Sequence, residues 1–113
     1  MTEEEKKLFI DAVLELIELI PCGRVTSYKK LARAAGRPNN SRMVGRIISV
    51  SGKMRDGIPA HRVVASSGIL SGKRAFGSGN EMAGLLAGEG VEIRNNKVCN
   101  VHKIMWDPIE ELL

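Results

Sequence analysis

Apolar residues recur at helical spacing along residues 2–20: Leu8, Phe9, Ala12, Val13, Leu16, Ile17 and Ile20 form one stripe, with Asp11, Glu15 and Glu18 off it. Thr2 followed by Glu5 is a capping-box signature, and Pro21 and Gly23 stop the run. A helix with a buried stripe and an acidic face is a scaffold element, turned away from any polyanion. A second helix starts near Thr26 or Ser27, either of which can cap it, and runs through Tyr28, Leu31, Ala32 and Ala35 to Gly36. Gly36-Arg37-Pro38-Asn39-Asn40 is a dense turn signal. Asn40 or Ser41 then caps a third helix over residues 41–50, with Met43, Val44, Ile47 and Ile48 on one face and Arg42, Gly45, Arg46 and Ser49 on the other. Two short helices about a tight turn, the second showing arginines and a glycine outward, read as a helix-turn-helix; a generic helical hairpin gives the same pattern.

Downstream the helical period breaks. Residues 51–60 read as a polar loop closing on Ile58-Pro59-Ala60, and His61-Arg62-Val63-Val64-Ala65 as a short buried turn or strand. Ser66 to Gly79 is rich in glycine and serine and reads as loop. Asn80 can cap a fourth helix over 81–89, with Met82, Leu85 and Leu86 inward and Gly90 ending it. Val91–Arg94 and Lys97–Val101, joined by Asn95-Asn96, read as a β-hairpin that can serve as a wing. The expectation is one mainly α domain over residues 1–113, a winged helix-turn-helix with a short hairpin.

Composition narrows the setting. A chain of 113 residues buries one modest core without disulfides or metal. No apolar run approaches a membrane span, and the opening Met1-Thr2-Glu3-Glu4-Glu5 is the wrong chemistry for a secretory or transit peptide. Cys22 and Cys99 make neither a disulfide framework nor a zinc set, so a reducing, cytoplasmic setting (nucleoid-associated in a bacterium) without metal or cofactor is expected. The net charge of +4 hides a sharper partition. Residues 1–23 hold two bases against six acids, 24–74 twelve bases against one acid, and 75–113 three bases against six acids. A basic block between acidic ends is what a phosphate-binding face looks like in sequence, although a solvated basic surface gives the same count.

A series of motifs then converges. Ile20-Pro21-Cys22-Gly23-Arg24-Val25-Thr26-Ser27-Tyr28 with Leu31-Ala32 is followed by Ser41-Arg42-Met43-Val44-Gly45-Arg46, and then by Ile58-Pro59-Ala60-His61-Arg62-Val63-Val64. Ser67-Gly68 and Leu85-Leu86-Ala87-Gly88-Glu89-Gly90 complete the order. Over about residues 8–93 this resembles the C-terminal DNA-binding domain of O6-alkylguanine-DNA alkyltransferases. The departure is Ala60. The family's active motif has cysteine there, whose thiolate takes the alkyl group from guanine O6 with a histidine and a glutamate in support. His61 and Glu89 stand at the supporting positions, but a methyl group accepts nothing. The family's Asn-Pro pair upstream of the cysteine is also missing, with Ser51-Gly52 in that stretch.

That combination is similar to the alkyltransferase-like proteins, which replace the cysteine, usually with tryptophan, and flag alkylated guanine for nucleotide excision repair without repairing it. Lys73-Arg74 and the tail Ile104-Met105-Trp106-Asp107-Pro108 resemble the same branch. The resemblance implies a non-catalytic monomer whose partners are duplex DNA containing O6-alkylguanine and excision-repair proteins, not a membrane. It makes Arg42 the finger that replaces an extruded nucleotide and Gly45 the point of close backbone approach. It makes Tyr28 the residue that crowds the phosphate 3′ to the target. Lys29, Lys30, Ser41 and Arg46 complete the DNA face, and Tyr28, Pro59, Ala60, Val63 and Arg74 the lesion pocket, with Arg74 over the flipped base. Arg62 is expected to be structural and Trp106 a core anchor. Two alternatives remain: an active alkyltransferase carrying a cysteine-to-alanine change at residue 60, and a winged-helix transcription regulator.

Overall fold

The computed structural model describes residues 1–71 and 81–112, apart from the side chains of Gly52 and Lys53. Helix α1 spans Glu3–Leu19 and is capped as its sequence predicts, the Glu5 amide donating to Thr2 Oγ1 at 3.1 Å. Its buried face is rotated from the expected stripe. Leu14 is buried with Phe9, Val13 and Ile17, while Leu8 is 65% exposed. Leu8 lies on the open side of α1, beside a surface cleft it shares with Ala12, Ala35 and Gly36, so periodicity alone marks it wrongly as core.

Strand β1, Thr26–Ser27, leads directly into α2, Tyr28–Ala34, where the Ser27 hydroxyl accepts from the Lys30 amide at 3.1 Å. After the turn at Gly36 (φ +84°) comes α3, Ser41–Met54. Asn40 takes its cap position without a side-chain cap bond. Helix α3 runs beyond residue 50, so the first part of the expected 51–60 loop is helical. Ser51 continues the inner face, buried with its hydroxyl donating to the Ile48 carbonyl at 2.9 Å, which removes the polar penalty that made this stretch read as loop. The α2–turn–α3 unit is the helix-turn-helix.

A 3-10 turn at Ala60–Arg62 feeds strand β2, Val63–Val64, so the 61–65 segment is both turn and strand. β2 pairs parallel with β1 in the register Thr26 to Val63 and Ser27 to Val64. On the other side of β1, Val25 bridges Met105: its amide donates to the Ile104 carbonyl at 3.0 Å and its carbonyl accepts from Trp106 N at 2.6 Å. Helix α4 spans Glu81–Gly88, with Met82 and Leu86 buried and Leu85 47% exposed, contrary to the inward position expected for it. The hairpin forms between β3, Ile93–Arg94, and β4, Lys97–Val98, across two left-handed residues, Asn95 and Asn96. Short helices α5, Val101–Ile104, and α6, Pro108–Glu111, follow.

Two apolar clusters hold these elements. The larger joins α1, α2, α3, Ala60, Val63 and the anchored Trp106; the smaller joins Val25, Val64, Leu70, α4, Val91 and Val98. Gly68, at φ +95°, closes a turn onto the hairpin where an added Cβ would stand 3.0 Å from the Val98 carbonyl, so only glycine fits. Among the described residues no helix is long and apolar enough to cross a membrane, and no group of three His, Cys, Asp or Glu is placed to hold a metal ion.

Candidate nucleic-acid interface

The described cations of the basic block fall into two populations. Five of its cations are paired with acids from the two acidic ends: Arg24 with Glu111, Lys30 with Asp107, Arg37 with Glu5, Arg55 with Glu18 and Arg62 with Glu89. Lys29, Arg33, Arg42 and Arg46 are exposed and make no ion pair among the described residues. These four lie four residues apart in two pairs, one on α2 and one on α3. Like charges at that spacing repel by a few tenths of a kcal/mol, and a polyanion relieves the repulsion. The sequence reading treated Lys29 and Lys30 as equals. Lys30 Nζ instead lies 3.5 Å from Asp107 Oδ2, and Lys29 is left to solvent.

Arg42 sits exposed in the first turn of α3, beside half-buried Ser41. One turn on, Gly45 faces the helix junction, where an added Cβ would lie 4.0 Å from Tyr28 Cε1, an ordinary contact. The fold therefore does not itself require glycine at 45. Tyr28, the first residue of α2, is half-buried against the larger cluster, and its phenol oxygen accepts from the Ser71 hydroxyl at 3.2 Å. The structure thus joins Tyr28, Gly45 and Ser71. Arg74, like Lys73 and Asn80, lies outside the described residues.

Ala60 opens the 3-10 turn after Pro59, 5% exposed and in the same cluster that Tyr28 packs against, with Val63 buried beside it. Next to it is the most highly coordinated side chain described. Glu89, just past α4, accepts from the Gly23 amide at 2.9 Å, from Arg62 Nε at 3.0 and 3.1 Å and from Arg62 Nη2 at 2.9 Å. His61 Nε2 lies 2.6 Å from Glu89 Oε2. Burial pushes the Glu89 carboxyl up, but the bonds from Arg62, Gly23 and His61 outweigh it and hold it at about 2. An ionised carboxylate only accepts, so His61 must donate through Nε2. Arg62 also donates to the Ile20 carbonyl at 2.9 Å. It is a staple between the end of α1 and the 3-10 turn, as its sequence reading expected, and Glu89 raises its own pKa.

Residues 8–91 match the family described as 6-O-methylguanine DNA methyltransferase, DNA binding domain. The chain belongs to this family. Within it, alkyltransferase-like protein 1 of Schizosaccharomyces pombe is 35% identical over 103 residues, covering 87% of this chain and 90% of its own length. A protein of Vibrio parahaemolyticus named DNA base-flipping protein is 29% identical over 102 residues, 88% of this chain and 97% of its own. The crystal structure of the Schizosaccharomyces pombe protein in complex with damaged DNA containing O6-carboxymethylguanine superposes with a TM-score of 0.75 at 32% identity, over 96% of this chain and all of that one. The chain spans less than a third of the length of several family enzymes it also matches, 30% of one and 18% of another. The mainly helical winged helix-turn-helix is therefore the fold of the alkyltransferase-like branch.

Proposed function

We propose that this protein recognises O6-alkylguanine in duplex DNA by turning the damaged nucleotide out of the helix, transfers nothing from it, and marks the site for nucleotide excision repair. The observation that carries the reading is Ala60. The family's acceptor position holds a methyl group, while the support around it, His61 donating to Glu89, remains assembled. Neither Cys22, exposed in the turn after α1, nor Cys99, in the turn after β4, occupies the acceptor position. In this reading Arg42 fills the gap in the stack, since a planar, permanently charged guanidinium both stacks and hydrogen-bonds an orphaned base. Tyr28 crowds the adjacent phosphate, and Ala60, Pro59 and Val63 floor the pocket that Arg74 covers. Lys29 and Arg46 supply sequence-independent attraction to the backbone. The names of the two relatives, one bound to damaged DNA and one a base-flipping protein, support the reading.

The test is a pair of measurements on one protein. Affinity for a duplex carrying O6-methylguanine should exceed that for the identical unmodified duplex, and mass spectrometry after incubation should show no methyl gained. Equal affinities would sink lesion recognition; a stoichiometric methyl on Cys22 or Cys99 would make the protein an enzyme.

A further inference from the structure

We propose that a cleft along α2 holds a second backbone phosphate of the DNA, with Arg33 as its ligand, a residue that no motif of the family marks. This rests on the DNA-binding reading above. The cleft has a volume of about 390 Å³, and Lys29, Lys30, Arg33 and Ser66 are among the residues that line it. Its charge balance is set by which cations are spent. Lys30 turns to Asp107, and that carboxylate is matched on both oxygens: Oδ2 faces Lys30 at 3.5 Å and Oδ1 accepts from the Ile109 amide at 3.0 Å. Lys29 and Arg33 remain, both exposed on α2.

Ser66 also lines the cleft, exposed in a tight turn closed by the Gly68 amide donating to the Ala65 carbonyl at 2.8 Å, and its hydroxyl is a neutral donor. A guanidinium, an ammonium and a hydroxyl around one concavity match the oxygens of a phosphodiester, the guanidinium being able to donate to two of them at once. Placement agrees with this. In a helix-turn-helix the first helix crosses the sugar-phosphate backbone while the second enters the groove. Four residues of helix advance about 6 Å, so Arg33 extends the contact one helical turn beyond Lys29, away from Tyr28 at the head of α2. The cleft thus lengthens the grip on the strand without touching the base pocket.

The test is the salt dependence of duplex binding in sodium chloride, for the wild type, Arg33→Ala and Lys7→Ala, the last an equal loss of charge on the acidic helix α1. Arg33→Ala should lower the slope of log affinity against log salt by about 0.9, weaken lesion and plain duplexes by the same factor, and leave the urea midpoint unchanged. Lys7→Ala should leave the slope as it is. An unchanged slope for Arg33→Ala overturns the proposal. So does a shift of the Arg33 side-chain NMR resonance by inorganic phosphate with no change in DNA slope, which would make the cleft a site for free anions. The two readings separate cleanly. A wild type without lesion preference, whose slope still falls in Arg33→Ala, leaves this inference standing and removes lesion recognition. A wild type that prefers the lesion, with the slope intact in Arg33→Ala, does the reverse.

Discussion

The surroundings of Glu89 and the outer face of α2–α3 treat charge in opposite ways. Around Glu89, a carboxylate 12% exposed collects donors from two distant parts of the chain, the Gly23 amide after α1 and His61 with Arg62 in the 3-10 turn. On α2–α3, four cations stand in like-charged pairs with no acid among the described residues near enough to pair. The first arrangement is complete without a ligand and is expected to contribute to folding. The second is incomplete without one and is expected to contribute to binding. The acidic ends of the chain fit the same division, because Glu5, Glu18, Asp107 and Glu111 neutralise the flanks of the basic block and leave a narrow strip uncovered.

The strongest way to break this comparison is Glu89→Gln. Removing one partner of a mostly buried ion pair costs about 3 kcal/mol, so the urea midpoint should fall well below that of the wild type while the ratio of lesion to plain-duplex affinity holds. The acid side supplies a second readout. Glu89 titrates at about 2 in the folded state against an ordinary 4.5, so its contribution is present above the unfolded value and is lost as pH falls from about 4.5 toward 2. Wild-type stability should drop through that window, and Glu89→Gln should flatten the drop. A variant as stable as the wild type would mean the cluster is ornament.

Arg42→Ala comes next and acts on the other region. It should leave the urea midpoint alone and reduce lesion affinity by about 2 kcal/mol more than plain-duplex affinity, because only an extruded complex uses the finger. A fluorescent base opposite the lesion should brighten less on binding. Equal weakening of both duplexes would reduce Arg42 to a phosphate contact.

The smallest effect is the most discriminating. Gly45 is a helix-interior glycine whose added Cβ meets Tyr28 only at ordinary contact distance, so Gly45→Ala should stabilise the fold by up to about 1 kcal/mol. If the α3 backbone approaches DNA at Gly45 as proposed, the same methyl beside Tyr28 crowds that approach, and binding should weaken several-fold. A variant both more stable and equally tight in binding would show that Gly45 serves neither region.

What was legible in the sequence follows the range of the interaction. The Thr2 cap, the turn at Gly36, the Asn95-Asn96 hairpin and the α2–turn–α3 unit depend on neighbours within a few residues, and all stand where the chain announces them. Leu8, Leu14 and Leu85 were misjudged because a helix's buried stripe is set by what covers it as much as by its period. The β1–β2 pair could not be read at all: two residues carry no alternation, and the pairing joins Thr26 to Val63. The motif series marked His61 and Glu89 as partners, but the difference between Lys29 and Lys30 is decided by Asp107, 77 positions away. Arg33 stayed invisible for the same reason: only when the neighbouring cations are seen to be spent does it stand out.

The bridge at Val25 has a bearing on how the molecule is made. β1 takes one neighbour from residues 63–64 and the other from residues 104–106, the latter about 80 positions further along. As the polypeptide leaves the ribosome, α1, α2 and α3 can form and collapse on one another early, since their contacts with one another need only residues 3–54. β1 waits, with one side unpaired until Ile104–Trp106 have emerged. Pairings of such long sequence separation are entered late because the loop must close before any contact rewards it. Helices α2 and α3 would therefore take shape first, and the strand that seats Tyr28 at the head of α2 would lock last, once residues 104–106 have arrived.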